Sequence, residues 1–348
     1  MNYTVPPKKM LIINILDILK QYSDENHRLS TAQIGKLLET EYYQKADRKA
    51  IKRNLMNLID FGYEIEYSQT PRVGKNGEEE TILSDWYLNR EFTDAELRLL
   101  MDGLLFSKSL PYNQCKELIE KLGSLSNKYF HARVGHIRNL PENLPENKQV
   151  FWTIDVLDEA ISKRKQVAFE YVEYDLNKTA QPRKNKEGSK AEVYTVSPYQ
   201  MAATNGRYYL ICNRMGFSRV SNYRVDRIMN IRLLDVPAVP LKSLQGYQNG
   251  LDLPKHMAEH IYMFAGQSIP VTFLAKQYLI GDVLDWFGRD VRLRRADDDL
   301  VQVNVLVNEE AMFYWALQYG MHVEVKEPAS LRMRLAEATR DMAEKYNR

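Results

Sequence analysis

The stretch NGRYYLICNRMGFSRVSNYRVDRI, residues 205–228, has the pattern of a β-hairpin that carries an unusual amount of positive charge. Two short apolar runs flank a turn containing Gly216, as expected for a pair of antiparallel strands. One acid, Asp226, accompanies five arginines, which are Arg207, Arg214, Arg219, Arg224 and Arg227. This excess of guanidinium groups raises the question of an anionic ligand.

Side chains alternate between the two faces of a strand. Tyr209 and Ile211 are therefore expected on one face, and Tyr208 and Leu210 on the other. We predict that one tyrosine packs in the core while its neighbour is freer. Asp226 is close enough in sequence to pair with one of the neighbouring arginines.

The positive charge extends beyond the hairpin. Residues 183–232 contain three acids (187, 192 and 226) against ten basic residues, at positions 183, 184, 186, 190, 207, 214, 219, 224, 227 and 232. Such an excess of arginine and lysine, together with several tyrosines, suits phosphate binding combined with base stacking. The alternative is an ordinary surface with a structural Arg/Asp pair.

Composition restricts the class of protein. At 348 residues the chain is too long for one ordinary core, and 44% hydrophobic with 27% charged residues indicates globular domains. No run of about 18 apolar residues predicts a membrane span. The N-terminal apolar positions have helical spacing without a small-residue cleavage site, so a first helix and a cytoplasmic location are expected. Cys115 and Cys212 are isolated, and they support neither a disulfide framework nor a cysteine-rich zinc site.

The apolar spacing and capping residues in the N-terminal third of the chain predict three helices followed by a hairpin. Residues 8–22 have an amphipathic pattern, Ser30 is a candidate N-cap for the second helix, and Asp47 for the third. Gly62 is the expected stop of the third helix. Two strand-like runs around the Asn-Gly pair of RVGKNGEEE complete the pattern of a winged helix-turn-helix.

The third helix concentrates basic residues opposite its apolar stripe. In a helix-turn-helix the second helix of the motif enters the major groove, where cations contact phosphates and base edges. A solvated helix face is the alternative. We predict that DNA is contacted by residues of this helix and of the wing tip, namely Lys45, Arg48, Lys49, Lys52, Arg53, Arg72 and Lys75.

The remaining segments differ in their patterns. Two further helices are expected after Thr93, which has capping-box spacing to Glu96. Residues 167–234 contain short β-rich runs that indicate a small barrel or a strongly bent sheet. The last 80 or so residues alternate strand and helix, which indicates a small α/β sandwich.

The run from SPYQMAATNGRYYLICN to NYRVDRI resembles the WYL domain of bacterial transcription regulators. That domain has a proline, a glycine shortly before Trp-Tyr-Leu, and an aromatic-Arg-x-Asp-Arg-Ile run. The matching positions are Pro198, Gly206, Tyr209, Leu210, Tyr223, Arg224, Asp226, Arg227 and Ile228. Tyr208 replaces the tryptophan, and Ser221 stands where an arginine is common, with Arg219 as its candidate substitute.

The flanking regions extend this resemblance over most of the chain. ADRKAIKRNLMNLIDFGYEIEY is similar to a DeoR-like winged helix, and the residues from PVTFLAK onward resemble the C-terminal extension of WYL proteins. The resemblance implies a multidomain α+β fold with four segments. These are a winged helix-turn-helix at 1–90, a helical linker region at 91–150, an Sm-like/SH3-type β-barrel at 151–236, and an α/β extension at 237–348.

The resemblance also implies a function. A dimeric repressor on a palindromic double-stranded DNA operator is expected, and phage-defence loci are among the targets of such proteins. The WYL barrel would sense a nucleotide or nucleic-acid effector without a cofactor. The residues expected to bind this ligand are Ser197, Arg207, Tyr208, Tyr209, Arg219, Arg224 and Arg227.

Two alternatives stay open. HMAEH, residues 256–260, fits the H-x-x-E-H pattern of a zinc-dependent hydrolase, although a solvated start of a short helix is the simpler interpretation. A single-stranded nucleic-acid-binding module with a degenerate winged helix is the other alternative. No P-loop, Gly-x-Ser-x-Gly or Gly-x-Gly-x-x-Gly motif is present, so we expect no enzyme activity.

Overall fold

The structure is a computed structural model, which describes residues 8–73, 79–133, 147–185, 188 and 190–347. The chain divides into two compact units, Met1–Leu144 and Pro145–Arg348. None of the described helices combines the length and the apolar character that a membrane-spanning helix needs.

The first unit begins with three helices around one core. They are α1 (Leu11–Tyr22), α2 (Thr31–Tyr42) and α3 (Arg48–Phe61). Ser30 caps α2 in a capping box with Gln33, and the carboxylate of Asp47 accepts a hydrogen bond from the Ala50 amide, 2.8 Å away, at the start of α3. Gly62 ends α3 in the left-handed region (φ 113°), where glycine has no steric penalty. The predicted caps and stop are confirmed.

A two-stranded hairpin follows the helices. Its antiparallel strands are β1 (Ile65–Val73) and β2 (Glu79–Leu88). The backbone of Leu29, between α1 and α2, exchanges two hydrogen bonds with Trp86 of β2. Trp86 is fully buried in the core formed by the three helices and the hairpin.

Three helices follow the hairpin in the described part of the first unit. They are α4 (Asp94–Phe106), α5 (Tyr112–Gly123) and α6 (Lys128–Arg133). The predicted Thr93/Glu96 capping box is present at the start of α4. Leu97, Met101 and Phe130 form a small apolar cluster among these helices.

The second unit opens with one helix and a six-stranded antiparallel sheet. These elements are α7 (Val150–Lys163), β3 (Lys165–Tyr174), β4 (Ala180–Pro182), β5 (Val193–Thr204), β6 (Arg207–Arg214), β7 (Val220–Arg224) and β8 (Ile228–Pro237). The hairpin predicted from residues 205–228 is β6 and β7. One apolar cluster, which includes Phe169 and Leu210, packs between α7 and one face of the sheet.

The strand pairing leaves this sheet open. The strand order is β4-β3-β5-β6-β7, and β8 pairs with β3. Among the described residues, no hydrogen-bonded ladder joins β7 to β8. A 3-10 helix, Val225–Arg227, connects these two edge strands. Register shifts in the ladders of β3 with β8 and of β5 with β6 are the kind of irregularity that bends a sheet. The closed barrel implied by the family resemblance is therefore not found among the described residues.

The opposite face of the sheet is covered by the chain that follows β8. The cluster on this face combines Ile211 and Val220 of the sheet with Leu244 and Met257 of the covering segment. The covering segment contains the short helix α8 (Leu253–Glu259). The sheet therefore buries apolar residues on both of its faces.

The chain ends in a second antiparallel sheet with helices. The elements are β9 (Ser268–Lys276), α9 (Ile280–Phe287), β10 (Arg292–Arg295), β11 (Leu300–Asn308), α10 (Glu309–Gln318), β12 (Val323–Glu327) and α11 (Ala329–Tyr346). The strand order is β10-β11-β9-β12. Phe273 and Trp315 are fully buried at the centre of the core that the sheet shares with its helices. The predicted alternation of strands and helices is present.

Candidate nucleic-acid interface

Helix α3 presents a basic face to solvent. Ile51, Leu55 and Leu58 are buried in the core of the first unit. The opposite side of α3 and the turn before it carry exposed cations, which are Lys45, Arg48, Lys49, Lys52 and Arg53. Within the described residues, no ion pair neutralises any of these five side chains. They are available to a polyanion.

A buried hydrogen bond between two side chains holds the turn before α3. The Asn14 amide of α1 donates to Gln44 Oε1 over 2.9 Å, and both side chains are more than nine-tenths buried. Buried polar groups are costly unless they are bonded, so this pair restricts how α1 and the turn can be arranged. Asn14 and Gln44 thus place Lys45 and the start of α3.

The structure describes one of the two residues predicted at the wing tip. Arg72 is exposed near the end of β1, at the side of the hairpin that leads to its tip. Lys75 lies outside the described residues.

A second cationic site lies at the end of the β6–β7 hairpin. Asp226 is 1% exposed and accepts two hydrogen bonds from Arg224, at 3.0 Å from Nε and 2.5 Å from Nη2. Arg207 Nη1 lies 3.8 Å from the same carboxylate. Arg227 adds a buried Nε atom that has no hydrogen-bond partner among the described residues. We call Arg207, Tyr209, Arg224, Asp226 and Arg227 the arginine cluster.

The cluster has three guanidinium groups for one carboxylate. Burial lowers the pKa of Arg207, and the nearby charge of Arg224 lowers it further. For Arg224, burial alone would lower the pKa, but the hydrogen bond and charge of Asp226 raise it. An anion at this site would therefore relieve repulsion between cations that are already partly removed from water.

One tyrosine belongs to the arginine cluster and a second one borders it. Tyr209 is half-buried and stands opposite Arg224 in the β6–β7 register. Tyr171 of β3 accepts a hydrogen bond from the Arg224 amide over 3.1 Å. Sequence reasoning missed Tyr171, because it lies 53 residues from Arg224 and no local pattern marks it.

The structure brings together only some of the residues predicted to bind a ligand. Tyr208 lies on the opposite face of β6 from Tyr209, and each packs partly buried against a different apolar cluster. Ser197 is 1% exposed, and its hydroxyl accepts a hydrogen bond from the Val239 amide. It pairs in register with Asn213, six residues and about 20 Å along β6 from Arg207. Arg219 is exposed beside the opposite end of β7.

The histidines of HMAEH are buried, so the interpretation of a solvated helix start was wrong. His256 and His260 are 5% and 6% exposed. His256 Nδ1 lies 3.0 Å from Tyr247 Oη, and its Nε2 lies 3.3 Å from Asn222 Oδ1. Both nitrogens of His256 thus have partners, and no group of three candidate metal ligands occurs among the described residues. This geometry gives no support to the zinc-hydrolase alternative.

Similarity to known structures is weak in sequence. Proteasome accessory factor B/C (PafBC) of Arthrobacter aurescens is similar over 95% of this chain, with 14% identity and a TM-score of 0.29. This chain covers 48% of that chain, so it spans about half its length. A CRISPR Cas-related protein is similar over all of this chain and 88% of its own length, with 14% identity and a TM-score of 0.37. No curated protein matches this sequence.

Two family models match the second unit. Residues 153–233, which contain β3 to β7 and the arginine cluster, match the WYL domain. Residues 268–343, which contain the C-terminal sheet, match the WCX domain. These matches confirm the WYL and C-terminal-extension parts of the resemblance found in the sequence: the chain contains a WYL domain followed by a WCX domain.

Proposed function

We propose that this chain is a sequence-specific DNA-binding transcriptional regulator, a dimeric repressor whose WYL domain senses a nucleotide or nucleic-acid ligand. The observation that carries the proposal is the basic face of α3, which is exposed and unneutralised within the described residues. A helix docked by one face, with its other face cationic, suits entry into the major groove.

The first unit supports a winged helix-turn-helix at residues 1–90. Helices α2 and α3 would form the motif, and the β1–β2 hairpin would be the wing. A dimer on a palindromic operator would place two copies of α3 about one helical turn, ~34 Å, apart. A small rotation between the two protomers would then abolish simultaneous binding.

The arginine cluster is the proposed effector site. Arginine forks match phosphate oxygens, and Tyr209 offers a ring on which a base could stack. Ligand binding would favour one arrangement of the dimer over another and so shift operator affinity. A phage-defence locus as the target follows from the family resemblance alone.

Fluorescence anisotropy tests the proposed function. Labelled duplex DNA from upstream of the chain's own gene is titrated with protein at near-physiological salt, with a scrambled duplex of equal length as competitor. A preference of ~10³-fold or more is expected for a specific regulator. Equal, steeply salt-dependent binding to both duplexes would contradict it, and tighter binding to single strands would favour the single-strand module instead.

A further inference from the structure

The two buried histidines of α8 have fixed tautomers. His260 Nδ1 lies 2.9 Å from the Phe264 carbonyl oxygen. A carbonyl can only accept, so Nδ1 carries the proton. The His256 and His260 rings stack, with 4.3 Å between their centroids. This close packing disfavours a charge on either ring.

The orientation of Asn222 fixes the tautomer of His256 as well. Asn222 Nδ2 donates to the Met263 carbonyl over 3.4 Å, which turns its Oδ1 towards His256. His256 must then donate from Nε2 to Asn222 and accept the Tyr247 hydroxyl proton at Nδ1. Burial, together with the smaller effect of the neighbouring His260, lowers the pKa of His256 to about 3, so the ring is neutral at ordinary pH.

Asn222 is on the same face of β7 as Arg224. Side chains two residues apart in a strand share a face and lie about 7 Å apart. Asn222 and Arg224 pair in register with Ile211 and Tyr209, which belong to the face covered by α8. Any shift of β7 that accompanies binding at the arginine cluster therefore reaches Asn222 directly.

Helix α8 also borders the WCX domain. Lys255 and Glu259 of α8 line a cavity with Arg292 and Leu306 of the C-terminal sheet. His256 and His260 line a second cavity of about 660 Å³, to which Arg219 and Ser268 also contribute. Helix α8 packs against β11 of the WCX sheet, and its Met257 packs in the apolar cluster that contains Ile211 of the WYL sheet.

We propose that the Asn222–His256 hydrogen bond is the positioning contact through which occupation of the arginine cluster changes the packing of α8 against the WCX sheet. This inference rests on the proposed function, because it takes the arginine cluster as the effector site. At 3.3 and 3.4 Å, both hydrogen bonds of Asn222 are longer than the usual range of about 2.7–3.2 Å, so a displacement of a few tenths of an ångström breaks them. The proposed device has two states: the Asn222–His256 hydrogen bond is formed in one and broken in the other.

Hydrogen–deuterium exchange of the full chain tests the proposal, with a single-stranded thymidine decamer as the probe. Binding of the decamer is followed in parallel by anisotropy. In the wild type we expect the decamer to change the exchange rate of α8 by about threefold or more. In His256→Phe and Asn222→Ala the decamer should still bind, but the change in α8 should be lost.

Two further variants separate positioning from general packing. His256→Gln restores a donor towards Asn222 Oδ1 and should recover the response of α8. Tyr199→Phe removes another hydrogen bond between the sheet and the covering segment, from Tyr199 Oη to the Val239 carbonyl, and should leave the response intact. The His256→Phe variant keeps an aromatic ring in place, so it provides the test if Asn222→Ala does not fold.

The outcomes distinguish the two proposals. If the decamer does not bind the wild type, the proposed effector class is wrong and this inference falls with it. If the decamer binds but leaves α8 unchanged, or if the change survives in His256→Phe, only the inference is overturned. Loss of the response in Tyr199→Phe would also overturn it, because the contact would then be one of many equivalent ones.

Discussion

At the scale of single residues, Asp226 determines the geometry of the arginine cluster. It is the one acid among three guanidinium groups, and it is almost completely buried. Arg224 donates two hydrogen bonds to it, so Arg224 is tied to the fold. Arg207 is farther from the carboxylate, and 30% of its side chain is exposed, which leaves it freer to meet a ligand.

Replacement of Asp226 by alanine should destabilise the chain. Removal of one partner from a buried ion pair leaves uncompensated charge, here on three neighbouring arginines, and we expect a loss of about 3 kcal/mol. Urea denaturation of the full chain measures the loss. Asp235→Ala, which breaks an exposed pair with Lys165, is the control and should leave the midpoint unchanged. A wild-type midpoint for Asp226→Ala would contradict this description of the cluster.

His256 should make stability depend on pH. Its pKa falls from 6.5 in the unfolded chain to about 3 in the fold, so protons favour the unfolded state. The contribution of the neutral His256 to the free energy of unfolding is fully present above pH 6.5 and is lost as the pH falls towards 3. At pH 5 the loss is about 2 kcal/mol. Denaturation at pH 8 and pH 5 should show a smaller difference in His256→Gln than in the wild type. Equal differences would show that His256 is protonated in the fold.

At the scale of elements, α3 could be predicted almost completely from sequence. Its cap at Asp47, its buried stripe and its stop at Gly62 are all local signals, and local signals determine helix ends. The open edge between β7 and β8 could not be predicted, because strand pairing depends on contacts distant in sequence. The burial of His256 could not be predicted either, because it depends on Asn222, 34 residues away.

Removal of charge from α3 should weaken operator binding. We expect the double variant Arg48→Ala with Arg53→Ala to lose ~1–3 kcal/mol of binding free energy for each side chain that makes a bidentate base contact. Anisotropy on the operator duplex measures the change. Arg340→Ala combined with Lys345→Ala removes two exposed cations of α11 and is the matched control. Wild-type affinity in the α3 variant would exclude this helix from the interface.

At the scale of the whole molecule, the sequence predicts the type of domain, whereas the structure shows which residues of that domain are neighbours. The WYL pattern in residues 205–228 predicted the domain that the family model matches, and the structure then showed which of its residues lie together. Arg207, Tyr209, Arg224 and Arg227 lie together in the arginine cluster, whereas Tyr208 lies on the other face of the sheet and Arg219 beside the opposite end of β7. Strand alternation predicts that Tyr208 and Tyr209 take opposite faces, but the motif alone does not show which of the two faces carries the arginine cluster.

We propose that a ligand at the arginine cluster controls binding of the operator. Operator affinity with and without the thymidine decamer, in the wild type and in Arg207→Ala, tests this proposal. We expect the decamer to change wild-type affinity by about fivefold or more, the lower range of a typical coupling energy. Arg207→Ala should bind the operator normally and lose the response. A response that is equal in both proteins would contradict the claim.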